Sequence, residues 1–289
     1  MSYRTALSEV LTDVVAPAAE AAAVQGRFPR GAVTALGRAG LLGLTVSTEF
    51  GGGGRGLPEA ADVVARTARV CPATAAVLRS HYTAVAVIDA CGGPWLRAEI
   101  AAGRHLGSLA LAESESESES ESEEGEVDGE GASGSGREVD GLTAQTQLLV
   151  PRSVATRSGG VVALRARKRR VVAAGEADTY VWSSRPLNAP DGLTLWAVPA
   201  HAPDLFVPAR PGVTGPRGSA TSTVFADPVL VPAEAMLGTD GGGLDHVLRT
   251  VLPWLLELRA AAETRRPRAL DAVDLGTAAR HPAGSLAAS

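Results

Sequence analysis

Residues 113 to 140 constrain this chain most, because almost nothing in them can be buried. Five Glu-Ser repeats run from Glu113 to Ser122, then Glu123, Glu124, Glu126 and Asp128 follow, and the segment fades into Gly131-Ala132-Ser133-Gly134-Ser135-Gly136. Its 12 acids face one base, Arg137, for a net charge of −11; the whole chain carries −5, which leaves +6 elsewhere. Charges at this density repel, and no apolar surface offsets the entropy lost on ordering, so a disordered loop is expected. The run splits the chain into two parts with different patterns.

The part before it is helical. Leu7, Val10, Leu11, Val14 and Val15 recur at three- and four-residue spacing over residues 4 to 25, and Pro17 is expected to kink or end that helix. Phe28-Pro29-Arg30 restarts a second helix, with Val33, Leu36, Leu41 and Leu42 as its apolar face. Pro58 opens a third helix to about Val70, Pro72 a fourth to about Cys91, and Trp95 to Ala102 a short fifth. The four glycines Gly51 to Gly54 lack a following Lys-Ser/Thr, so they read as a turn between helices rather than a phosphate cradle.

Period-two pieces replace the helical pattern after Gly107: Ser108–Ala112, then Gln147–Val150, Val161–Arg165, Arg169–Val172, Thr179–Ser183, Leu193–Val198 and Ser222–Phe225. Short strands without helices between them predict an antiparallel barrel or sandwich. A helical stripe returns from Leu244 to about Glu263 (Leu244, Val247, Leu248, Val251, Leu255, Leu258), interrupted by Pro253, with a frayed tail from Pro267 to Ser289. That helix is expected to lack helical neighbours and so to expose its stripe to a partner. The fold class is thus α+β: an N-terminal helical domain (1–107), a middle β domain (108–232, containing the acidic loop 113–140) and a truncated C-terminal helical bundle (233–289).

Composition excludes several classes of function. No run of about 20 apolar residues is present, so no membrane span is expected. Met1-Ser2-Tyr3-Arg4 lacks a signal-peptide pattern, and two cysteines, Cys71 and Cys91, form no disulfide framework; a cytoplasmic location is expected. His201, His246 and His281 have no partners at ligand spacing, so no metal is argued. Arg165, Arg167, Lys168, Arg169 and Arg170 read first as a solvated strand edge. An anion or flavin contact, nucleic acid, or electrostatic binding of the chain's own acidic run are the alternatives.

Several motifs occur in the order found in one family. Leu36-Gly37-Arg38-Ala39-Gly40-Leu41-Leu42-Gly43-Leu44 with Glu49-Phe50-Gly51-Gly52 resembles the N-terminal helical domain of the acyl-CoA dehydrogenases. Ser108-Leu109-Ala110-Leu111-Ala112-Glu113 resembles the strand opening that family's β domain, and Gly175-Glu176-Ala177-Asp178-Thr179-Tyr180-Val181 its next signature. Val231-Pro232-Ala233-Glu234, with Leu237-Gly238 and Gly241-Gly242-Gly243-Leu244, resembles the exit into the C-terminal bundle. The resemblance implies a C-terminally shortened, degenerate member. It also implies FAD, an acyl thioester substrate, and loss of a proton and a hydride from its Cα and Cβ.

By that resemblance the flavin contacts fall on Leu109, Leu111 and Ala112, where the family's strand ends in Ala-Leu-Thr-Glu, and on Arg170, Val171 and Val172, where the family has an aromatic residue, Ile and Thr. The family's catalytic Glu lies well over a hundred residues beyond the Gly241-Gly242-Gly243 turn, and 46 residues follow Gly243 here, so no catalytic residue is assigned. Glu257 and Glu263 read as solvated carboxylates. The Asp-x-x-Arg that touches coenzyme A in many members falls on Leu252 and Leu255, and His81 on a position near the acyl pocket, though it reads as a packed helix histidine. Two functions follow: a flavoprotein oxidoreductase, or a non-catalytic subunit pairing through residues 244–263 with a full-length relative. Either form is expected to be a homo- or hetero-oligomer, without nucleic acid or membrane.

Overall fold

The structure is a computed structural model that describes residues 2–113, 151–208 and 215–263. The acidic run beyond Glu113, the predicted strand Gln147–Val150 and the tail from Pro267 lie outside them. Six helices come first: α1 (Tyr3–Val10), α2 (Ala16–Gln25), α3 (Arg30–Arg38), α4 (Leu57–Val70), α5 (Pro72–Cys91) and α6 (Pro94–Ala101). α1 and α2 are continuous through a five-residue π turn, Leu11–Val15. That wide turn explains why Pro17 does not end the helix. A proline ring clashes with the carbonyl four residues back, here Asp13, and the π turn moves that carbonyl away.

Gly51 to Gly54 is the turn expected from its sequence. Gly52 sits so close to the backbone of Val46 that a Cβ there would lie 2.2 Å from its carbonyl oxygen. Gly53 and Gly54 donate to Gly43 and Val46 at 3.0 and 2.9 Å, so the loop closes on protein and leaves no cradle.

Eight strands follow among the described residues: β1 (Gly107–Ala110), β2 (Val154–Ser158), β3 (Val161–Val171), β4 (Thr179–Ser184), β5 (Thr194–Pro199), β6 (Leu205–Phe206), β7 (Ser222–Pro232) and β8 (Met236–Leu237). They make two open four-stranded sheets, ordered β1-β4-β5-β8 and β2-β3-β7-β6. Among the described residues the sandwich forms and no closed barrel does. All pairings within the sheets are antiparallel except β1 with β4, which is parallel. The chain leaves β1 for the second sheet and re-enters beside it in the same direction.

Burial follows the layering. Every residue of β4 is buried, because its sheet is covered on both faces. Tyr180 and Trp182 point into the sandwich with Val162, Leu164 and Val224, while Val181 points the other way, toward Val85, Ile88 and Ile100 of α5 and α6. β3 belongs to the outer sheet and alternates instead: Val162, Leu164 and Lys168 are buried, Val161, Arg165, Arg167 and Arg169 exposed.

The chain ends its described part in α7 (Gly243–His246), a second π turn (Val247–Val251) and α8 (Leu252–Glu263). Pro253 follows this π turn as Pro17 follows the first, and the helix again continues. The expectation of a lone helix with a free stripe is overturned. α8 lies against α4 and α5, and Val247, Val251 and Leu258 are completely buried. Its apolar face is used within the chain, against N-terminal helices that the local pattern could not locate. Only Leu248 and Leu256 remain large, apolar and exposed on this segment, at 48% and 55%.

Candidate functional site

The two sequence segments expected to contact a flavin meet in space. The Arg169 backbone N–H donates to the Ala112 carbonyl at 2.8 Å, and the Ser108 hydroxyl donates to the Val172 carbonyl at 2.5 Å. β1 with its exit is thereby tied to the end of β3. The six residues do not all face outward, however. Leu111 and Val171 are buried in the core, at 2% and 0%; Leu109, Ala112 and Val172 are half-buried, and Arg170 is exposed. Arg170 occupies a second register shift of β3 with φ of 53°, a left-handed conformation that costs a non-glycine residue on the order of 1–3 kcal/mol.

The donor set tests these residues against FAD. Among the six, only Arg170 carries a hydrogen-bonding side chain, and the hydroxyls that would meet the ring edge are missing at Ala112 and Val172. Backbone groups and a guanidinium able to lie against a flat ring are what the junction offers. Any hold on an isoalloxazine would rest on those contacts alone.

Behind the junction lies an arrangement that sequence reasoning missed. Lys168, on the inward phase of β3, is completely buried; it donates to the Glu113 carboxylate and to the Ser183 carbonyl and hydroxyl, at 2.7 and 2.9 Å. Its ammonium also lies 5.5 Å from the centre of the Trp182 ring. Glu113, 6% exposed, accepts in addition from the backbone N–H of Arg152, from the Ser153 hydroxyl at 2.5 Å and from the Ser153 N–H at 3.1 Å. One carboxylate therefore joins both ends of the run 114–150. Burial pulls the Lys168 pKa down from 10.5 to about 8, against the opposing pull of Glu113. The basic cluster reads first as a solvated strand edge, and Arg165, Arg167, Arg169 and Arg170 are exposed. The inward one faces the sandwich interior instead, a position that the two-residue alternation Val162, Leu164, Ala166, Lys168 marks.

The α5 helix is fastened to β1 by polar contacts. Ser80 and Ser108 share a hydrogen bond of 2.9 Å, and the Leu109 N–H donates to the Ser80 hydroxyl at 3.0 Å. His81 is fully buried between the Gly107 N–H, 3.1 Å from Nδ1, and the Leu42 carbonyl, 2.9 Å from Nε2. The Gly107 N–H needs a lone pair on Nδ1, so Nε2 carries the proton and donates to Leu42. Burial pulls its pKa down to about 4. This histidine is a packed helix residue, as its sequence setting suggests.

The other motifs are structural in this geometry. Gly175 takes a φ of 74° and donates to the Tyr180 hydroxyl at 2.8 Å; Glu176 pairs with Arg30; Asp178 accepts from the Leu106 N–H at 2.7 Å. Asp240 accepts from the N–H groups of Leu187, Asn188 and Ala189, at 2.8 to 3.0 Å, and from the Thr194 hydroxyl at 2.7 Å. Glu257 is exposed and Glu263 pairs with Arg259 at 2.9 Å, so both are solvated carboxylates, as their sequence setting suggests.

Known proteins are similar to this chain in sequence and in fold. Residues 2–103 match the acyl-CoA dehydrogenase N-terminal domain family. An acyl-CoA dehydrogenase of Bacillus subtilis (strain 168) is 26% identical over 239 residues, 79% of this chain and 55% of that protein. A cyclohex-1-ene-1-carbonyl-CoA dehydrogenase of Geobacter metallireducens is 25% identical over 251 residues, 84% of this chain and 58% of that one. The chain thus spans little more than half the length of these curated relatives. In fold it is similar to butyryl-CoA dehydrogenase from Megasphaera elsdenii, with a TM-score of 0.71 at 19% identity over 90% of this chain and 63% of that one. A chain from the electron transferring flavoprotein study of Acidaminococcus fermentans gives a TM-score of 0.72 at 20% identity, with the same coverage.

Proposed function

Because the chain belongs to the acyl-CoA dehydrogenase family, we propose that it forms the helical and β parts of an oxidoreductase acting on an acyl thioester. The observation that carries this reading is the meeting of residues 108–112 with residues 169–172. FAD, when bound there, would take up the hydride; Arg170 and the backbone of Ala112 and Val172 would hold it. No carboxylate among the described residues serves as the α-proton acceptor at this junction, since Glu113 is bound to Lys168 and the two Ser153 donors. That acceptor is proposed to lie outside the described residues. A cytoplasmic location and an oligomer, of this chain or with a full-length relative, belong to the same proposal. The surface available for assembly on residues 244–263 is Leu248 and Leu256 rather than the buried stripe.

The test is the visible absorption of the purified protein after FAD is added and the excess removed. A retained flavin band that bleaches on adding an acyl-CoA thioester is the expected result. Absence of the band sinks the stand-alone enzyme. It would turn attention to the second reading, a non-catalytic subunit, which the lost hydroxyls at positions 112 and 172 favour. Co-purification with a full-length relative would then be sought.

A further inference from the structure

β3 presents a basic row to solvent on its outer face. Arg165, Arg167 and Arg169 stand on alternate positions and are all exposed, with exposed Arg170 beside them. Alternate residues of a strand repeat at about 6.6 Å on one face. Arg165 meets exposed Asp227 at 3.2 Å and Arg167 lies over the Phe225 ring at 5.1 Å, while Arg169 and Arg170 meet no anionic partner among the described residues.

Both ends of the acidic run are fixed beside this row. Ala112 accepts from the Arg169 N–H, Glu113 bridges to Lys168, and Val154 pairs with Arg165 where the chain returns. The 37 residues between them, 114–150, connect two points that share one carboxylate, so their length is far greater than the gap requires. Glu115, Glu117, Glu119 and Glu121 alternate with serines. Drawn out as an extended chain, such a repeat places its carboxylates on one side at the same two-residue spacing as the arginines.

We propose that the Arg165, Arg167, Arg169 row is the docking surface of the chain's own Glu-Ser repeat, residues 115–121. The match has three parts: opposite charge, equal repeat, and tethering at both ends, which raises the local concentration of the repeat at the row. These pairs are exposed, so screening weakens them: the Debye length falls from about 30 Å at about 10 mM salt to about 3 Å at about 1 M.

A glutamate-specific protease probes the repeat in the full chain. In low salt the unaltered protein is expected to be cleaved within residues 115–121 at least about tenfold more slowly than a variant carrying Arg165→Gln, Arg167→Gln and Arg169→Gln. High salt should bring the two rates together. A charge-reversed pair guards against an indirect effect of the arginine changes: Arg165→Glu, Arg167→Glu and Arg169→Glu combined with Glu117→Lys and Glu119→Lys should recover protection of the glutamates left in the repeat. Equal cleavage of the unaltered and glutamine proteins in low salt overturns the proposal. So does protection that disappears on dilution, because the repeat would then be docking on a second copy.

Discussion

At the scale of single residues, the Glu113–Lys168 pair and His81 make the sharpest predictions. Removing one member of a buried pair is costly when the other is left uncompensated. Glu113→Gln removes the charge that offsets the Lys168 ammonium, leaving it only neutral acceptors, and is expected to cost about 3–5 kcal/mol. Lys168→Met should cost less, because the Glu113 carboxylate keeps its donors at Arg152 and Ser153; denaturant midpoints of the two variants give the comparison. The folded pKa of Lys168, about 8, lies below its ordinary 10.5, so the unfolded chain holds more protons between those values. Stability relative to Lys168→Met should therefore rise with pH across that window. His81 obeys the same sign lower down: its pKa of about 4 against 6.5 means that about 3 kcal/mol of stability is lost as pH falls from 6.5 to 4. His81→Gln should flatten the acid limb of a stability-versus-pH profile, and an unchanged limb would count against the neutral, Nε2-protonated ring. Lys168 was legible as an inward position by alternation. Glu113 was not, because in the sequence it looks like the first of five identical repeats.

At the scale of elements, helices were read well and strand ends poorly, for a physical reason. Pro58 and Pro72 sit in the first turn of α4 and α5, where a missing N–H is harmless, and so they mark true starts. Pro17 and Pro253 carry the same local signal but follow π turns, a feature of backbone packing with no composition of its own. β3 was read as two pieces because Ala166, Arg167 and Lys168 look like a polar break. Its alternation in fact continues through them, with register shifts between Leu164 and Ala166 and between Lys168 and Val171. β6 has two residues and left no readable period. The burial of α8 is testable at this scale: Leu258→Ala should lower stability by about 2–5 kcal/mol, whereas Leu256→Ala, on the exposed side, should change it little. Equal effects in thermal melts would contradict the packing of α8 on α4 and α5.

At the scale of the whole molecule, the order of helices, sheets and a final helix could be read along the chain, but not which layers touch. The inner sheet is covered by the outer sheet on one side and by helices on the other, so β4 shows no alternation and its neighbours cannot be inferred from it. The folding-back of α8 is a contact between residues nearly two hundred positions apart, beyond the reach of any local pattern. The two segments of the junction were readable as strands. The direction of each side chain was not, and Leu111 and Val171 turn out to belong to the core.

The shared carboxylate at Glu113 also bears on how such a chain can change over generations. With both ends of residues 114–150 held at one point, the loop-closure term depends on length only logarithmically, by about 0.6 kcal/mol for each doubling. Repeat expansion or contraction in the Glu-Ser tract is then nearly invisible to selection on folding. The tract can then lengthen at little cost to the fold, and docking on the Arg165, Arg167, Arg169 row would set the limit.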